Sequence, residues 1–235
     1  MAFRSIPVPR TVLVSCEHGG NRIPPRYQQL FEHHHELLRS HRGYDLGALW
    51  LARRFAREFD APLYAATVSR LLVDLNRSPH NPRVFSGITR PLDPAERDRI
   101  MRRHYRPHRE RVETRLRELI ANGKTVVHLA IHTFTPILDG RVRNADIGLL
   151  YDPRRSTELE ICTGWQRAIG RMSPALRVRR NYPYRGAADG LTTYLRTQLP
   201  PRKYAGIELE VNQRFVKKTG TIAAGVCNTL LSIQF

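Results

Sequence analysis

The stretch that decides the fold is "TVLVSCEHGGNRIPP", Thr11–Pro25. Its first six residues are apolar and β-branched enough to form a buried strand. Directly behind them come Glu17, His18, Gly19, Gly20, Asn21 and Arg22. A packed core has no use for an acid, an imidazole and a guanidinium in succession. A ligand site at the carboxyl end of a strand does.

The same arrangement recurs along the chain. Further strand candidates are 63–68, 71–75, 125–131, 147–151, 176–180 and 206–211. Most are apolar without alternation, which fits a sheet covered on both faces. Between them, 44–59, 94–121, 155–171, 187–198 and 217–232 carry helix-like patterns. In the first, Leu46, Leu49, Trp50 and Phe55 make a stripe, with Asp45 in or near the first turn, where the helix dipole favours a carboxylate. Alternating strands and helices imply an α/β protein, a three-layer α/β/α sandwich around a mixed, mostly parallel sheet. With no repeat and no internal boundary, residues 1–235 read as one domain.

Composition bounds the function. Apolar residues make up 41% of 235, enough for a sizeable core, and no apolar run reaches the length of a membrane span. "LVSC" (13–16) has the form of a lipoprotein cleavage box, but the two prolines and two arginines of residues 1–10 do not suit a signal sequence. Three widely spaced cysteines, with no CxxC, speak against a disulfide frame or a thiolate zinc site and for a reducing compartment, the cytoplasm by default.

The net charge is +18, and only four of the 39 basic residues are lysine. Such charge attracts anions and nucleic acid alike. The arginines are dispersed, however, and no nucleic-acid-binding signature accompanies them. Diffuse positive charge is the preferred reading, and nucleic acid is disfavoured as the partner.

Four clusters at or behind strand ends can carry chemistry: "EHGGN" (17–21), "SRLLVDLNR" (69–77), "HLAIHTFTP" (128–136) and "GIELEVNQ" (206–213). Glu208 and Glu210 fall on one face of their strand. A carboxylate inside an apolar strand is costly unless paired or functional, which singles out Glu210. Histidines and carboxylates at strand ends suit zinc, which takes three protein ligands at a catalytic site and brings the pKa of water from about 15.7 to about 7. His33 and Glu36 have H-x-x-E spacing but lie in a polar segment read as a solvated face. His104 and His108 are four apart, with Pro107 between them marking a kink or a helix start. Gly19 and Gly20 serve either a turn or a close backbone approach.

Together, "EHGGNRIP", "YDLGA", "SRLLVDLNR", "HTFTP", "ADIGLL", "NYPYRG" and "IELEVNQ" resemble the N-formylglutamate amidohydrolase family, in order and over nearly the whole chain. That family is similar to zinc carboxypeptidases and to the aspartoacylase/succinylglutamate desuccinylase group. The resemblance implies a zinc-carboxypeptidase-like fold and metal-dependent hydrolysis of an N-formyl or other small N-acyl amino acid such as N-formylglutamate. It implies one Zn2+ per chain, with His18 and His132 as ligands. The relatives' H-x-x-E pair becomes His18 and Asn21 here, so the third ligand is Asp45 or, alternatively, Glu17. It further implies Asn76 and Arg77 on the substrate carboxylate, Arg70 on the oxyanion, Glu210 as general base and acid, and Asn181 and Tyr184 lining the pocket.

Overall fold

The computed structural model describes residues 10–218 together with 225, 226, 228 and 229. The chain begins with β1 (Arg10–Cys16), followed by α1 (His35–Arg39), α2 (Ala48–Glu58) and β2 (Leu63–Ala65). After α3 (Pro94–Ile100) and α4 (Arg106–Ala121) come the long β3 (Thr125–Phe134) and a hairpin of β4 (Ile137–Leu138) and β5 (Arg141–Val142). Then follow β6 (Ile147–Leu150), α5 (Ser156–Met172), β7 (Val178–Arg180), α6 (Leu191–Gln198) and β8 (Tyr204–Asn212).

Six strands form one sheet in the order β2-β1-β3-β8-β6-β7. The β6–β8 pair is antiparallel and the other pairings are parallel. Strand alternation gives the two faces different tasks. Val12, Val14, Val127, Leu129, Ile131, Ile207 and Leu209 point to one side and pack against α2 and α5, with Phe55 and Trp165 at the centre. Leu13, Val126 and Tyr204 point to the other side, beneath Val112 and Leu116 of α4 and Leu191 and Leu195 of α6. Helices on both faces complete the three-layer α/β/α architecture.

On that second face the apolar packing involves only the amino-terminal halves of the strands. With period two, Ser15, His128, His132, Glu208 and Glu210 occupy the remaining inward positions, all buried. In register, His132 lies opposite Glu210 and Ala130 opposite Glu208. The polar half of this face lies at the carboxyl ends of β1, β3 and β8, where α/β sheets collect ligands.

Several expected boundaries move. Residues 71–75 form turns, not a strand. Leu71, Leu72, Val73 and Leu75 are all buried in a satellite cluster with Tyr27, Phe31, Ile100 and Tyr105. A short apolar run reads the same whether it is a buried strand or a buried turn. The strand expected over 63–68 is restricted to Leu63–Ala65. The helix expected from 44 begins at Ala48, after Gly47 at φ 85°. The left-handed backbone there suits glycine and leaves Asp45 ahead of the helix. Residues 94–121 are helical throughout but contain a π turn at Met101–Tyr105, just before Pro107, whose missing N–H and bulky ring a wide turn accommodates. The helix expected from 187 starts at Leu191. The helix expected over 217–232 falls largely outside the described residues. Among those described, no helix is long and apolar enough to cross a membrane.

Candidate metal centre and substrate cleft

The "EHGG" turn is shaped by its neighbour strand segment. A Cβ on Gly20 would come within 2.6 Å of the Thr67 carbonyl oxygen, and one on Gly19 within 2.9 Å of that of Ala66. These two glycines therefore serve backbone packing against residues 66–67. The turn delivers His18, whose carbonyl accepts a hydrogen bond from the Asp45 N–H at 2.9 Å. That bond fixes Asp45 in front of α2.

Asp45 is the hub. Its Oδ2 lies 2.9 Å from His132 Nδ1 and 3.4 Å from His18 Nδ1, and the two rings are 5.1 Å apart. Ligand atoms of His18, Asp45 and His132 all lie within 4.8 Å of one another. Each histidine turns its other nitrogen to a second carboxylate. His18 Nε2 is 2.7 Å from Asp74 Oδ1, and His132 Nε2 is 3.2 Å from Glu17 Oε2. The Glu17 contact lacks hydrogen-bond alignment. Glu17 Oε2, His18 Nδ1, His132 Nε2 and Glu210 Oε2 are buried without a hydrogen-bond partner. Orphaned buried polar atoms of this kind are rare without a function. A nitrogen–oxygen donor set with carboxylates behind the histidines fits a divalent metal such as zinc.

Electrostatics within the cluster oppose burial. Burial alone would raise the Asp45 and Asp74 carboxyls. Instead His18 and His132 hold Asp45 well below the usual carboxylate range, and Arg70 and His18 do the same for Asp74. Burial would lower His132, but its contacts with Asp45 and Glu17 raise it. Glu17 is likewise held low against its burial by His108 and His132. Glu210 is the exception: burial pushes its carboxyl up to about 8.

The centre opens into a cavity of about 300 Å³. His18, Asp45, His132, Glu208 and Glu210 line its floor, and Arg70, Asn76, Arg77, Tyr184 and Arg185 its walls. Arg70 Nη2 donates to Asp74 Oδ2 at 2.6 Å, and its Nη1 lies 3.5 Å from Asp45 Oδ1. Arg77 Nη1 donates to the Asp189 carbonyl at 3.0 Å. Asn76 Oδ1 accepts from the Leu191 N–H at 2.7 Å, tying the 74–77 loop to the start of α6.

Leaving aside Glu17, the alternative third ligand, eight of the nine residues given a role from sequence line one cavity. Asn181 does not line it. At φ 50°, its Oδ1 accepts from the N–H groups of Tyr151 and Gly186, both at 3.0 Å, so it braces the loop that carries Tyr184. Asp74, noted in its motif without a role, proves central. His108, read only as part of a kinked segment, has its Nε2 3.4 Å from Glu17 Oε1. Arg185 lies within "NYPYRG", where the sequence assigns it no role.

The solved structure of gene product Atu2144 from Agrobacterium tumefaciens is similar to this chain at 31% identity, covering 96% of this chain and 92% of that one, with a TM-score of 0.79. The N-formylglutamate amidohydrolase from Ralstonia eutropha JMP134 shares the fold at 17% identity, 97% and 93% coverage and a TM-score of 0.69. No curated protein matches the chain. Residues 10–216 match the family model described as N-formylglutamate amidohydrolase, and the chain belongs to that amidohydrolase family.

Proposed function

We propose that this chain hydrolyses the amide bond of an N-formyl amino acid, N-formylglutamate in the first instance, with one divalent metal ion, zinc by preference, held by His18, Asp45 and His132. The observation that carries the reading is the convergence of both histidines on Asp45, beside Glu210, at the floor of an arginine-walled cavity in a member of this family.

A metal bound there would act as a Lewis acid toward the acyl group and would acidify water. The remaining work belongs to side chains of this chain. Glu210 takes the proton from the attacking water and returns it to the departing amine nitrogen. Glu210 lies opposite His132 in the cavity lining, and its Oε2 is buried without a partner, so it is placed to take up and return that proton. Arg70 sits beside the cluster, held by Asp45 and Asp74, and offers a fixed positive charge to the oxyanion that forms as water adds to the acyl carbon. Arg77 and Asn76 hold the carboxylate next to the scissile amide. The Asn76 carbonyl oxygen is engaged by Leu191, so the donor half of its amide is what it offers the substrate. Tyr184 covers one wall of the cavity, and Asn181 braces the loop beneath it.

The test pairs metal analysis with formate release. Purified wild type should carry about one zinc per chain and release formate from N-formylglutamate, whereas His132→Ala should do neither. Absence of stoichiometric metal after zinc is added back would overturn the reading. Metal with turnover of a different N-acyl amino acid, and none of N-formylglutamate, would retain the chemistry and correct the substrate.

A further inference from the structure

Three arginines face the cavity, and they are not equivalent. The Arg70 guanidinium is shared between Asp74 and Asp45. Arg77 is tied to the Asp189 carbonyl. The guanidinium of Arg185 has no hydrogen-bond or ion-pair partner among the described residues. The nearby acids do not claim it. Asp189 spends its carboxylate on the Ser78 N–H and on Asn81 Nδ2, and Glu208 Oε1 accepts from the Thr192 hydroxyl at 2.7 Å.

An exposed arginine without a partner is ordinary on a surface. What sets this one apart is the rigidity of its mount. The Gly186 N–H donates to Asn181 Oδ1 at 3.0 Å, and the Gly186 carbonyl accepts from Arg196 Nη1 at 2.6 Å. The Arg185 carbonyl accepts from the Ala188 N–H at 2.9 Å. On the other side, Arg143 Nη2 donates to the Tyr184 hydroxyl at 2.9 Å, with its guanidinium over the Tyr184 ring. A guanidinium without a partner in the lining of a cavity, with its own carbonyl and Gly186 held through the backbone and Tyr184 through its side chain, is the arrangement of a recognition group, because little order is lost when the ligand arrives.

We propose that Arg185 is the specificity residue for a second carboxylate, the one at the end of the amino acid's side chain. The inference rests on the hydrolase reading, in which Asn76 and Arg77 hold the carboxylate beside the amide. The planar fork of arginine matches a carboxylate with two parallel bonds and a matched charge. It offers much less to a neutral amide of the same shape.

The experiment compares N-formyl-L-glutamate with N-formyl-L-glutamine, which differ at that group alone, on wild type, Arg185→Gln and Arg185→Lys. The ratio of kcat/KM for the acid over the amide should be at least about tenfold in wild type, approach one in Arg185→Gln and lie between in Arg185→Lys. The loss should appear mainly as a raised KM for the acid. An unchanged ratio in Arg185→Gln would overturn this inference and leave the hydrolase reading standing. Turnover of neither compound by metal-loaded wild type would overturn this inference, while the hydrolase reading would still be decided by metal content and by turnover of other N-acyl amino acids.

Discussion

His18 and His132 point ring nitrogens at the same oxygen, Oδ2 of Asp45, from 3.4 and 2.9 Å. Behind each stands another buried carboxylate, Asp74 for His18 and Glu17 for His132. A histidine whose far nitrogen is held by a carboxylate has its tautomer and ring orientation set, and it becomes a better metal donor. The arrangement ranks two candidates that the sequence left open. Asp45 faces both histidines on their inner side, whereas Glu17 sits on the outer nitrogen of one. Asp45→Asn should therefore weaken zinc binding far more than Glu17→Gln or Asp74→Asn, each of which should cost roughly 10- to 100-fold in affinity. Competition against a chromogenic chelator measures all three. The reverse ranking of Asp45 and Glu17 would exchange their roles.

The proposed proton-transfer role of Glu210 can be tested apart from metal binding. It lies across the sheet from His132, and its Oε2 is buried without a partner. Glu210→Gln preserves shape and removes the proton acceptor. Zinc content should stay at the wild-type level while kcat falls by about 10²- to 10⁴-fold, the usual worth of a general base. KM should move little. A variant that turns over at close to the wild-type rate would take the proton-transfer role away from Glu210.

A second buried histidine on the same face gives a pH signature of its own. His128 bonds Ser15 Oγ through Nε2 at 2.7 Å and the Tyr204 hydroxyl through Nδ1 at 2.9 Å. Burial pushes its pKa down to about 4 from an ordinary value of 6.5. The unfolded chain therefore binds a proton between pH 6.5 and 4 that the folded chain refuses. The His128 contribution is fully present above 6.5 and is lost as pH falls through that window, by roughly 3 kcal/mol in all, whereas Glu210, raised to about 8 by burial, acts in the opposite direction above 4.5 in wild type and variant alike. In protein stripped of metal, His18 and His132 do not obscure this effect. Their folded pKa values are raised, so their contribution is complete below 6.5 and changes only above it. His128→Gln cannot titrate, so in denaturant unfolding from pH 4 to 6.5 wild type should lose stability relative to the variant as pH falls. Parallel curves would mean that His128 is not the buried neutral group.

His18, His132 and Glu210 could be read from the sequence because each interrupts or ends an apolar run, where a polar side chain has a desolvation cost to explain. The layer order was equally legible, since strand and helix periods alternate. What could not be read was whatever depends on contact between distant segments. Asp74 gains its place from His18 and Arg70, and residues 71–75 fold as turns because a satellite core, not a ladder, buries them. His108 meets Glu17 across 91 positions of sequence, a contact no local pattern encodes. Asn181 was mistaken for a wall of the pocket because a bracing amide and a binding amide look alike in one dimension. Arg185 was hidden by composition, as one more arginine in a chain of net charge +18.

Gly186 connects the loop that carries Tyr184 and Arg185 to the sheet. A Cβ built there would meet the Tyr151 backbone nitrogen at 2.0 Å, and backbone cannot step aside as a flexible side chain can. In Gly186→Ala the loop must therefore lift, straining the bonds from Gly186 to Asn181 and Arg196. Overpacking of this kind costs about 1 to 3 kcal/mol, which thermal or denaturant unfolding will register. The proposed metal ligands His18, Asp45 and His132 lie on other segments, so metal content should be retained while KM for N-formylglutamate rises. Wild-type KM in a folded, metal-loaded Gly186→Ala protein would show that the loop tolerates the shift, and that Tyr184 and Arg185 do not depend on this anchor.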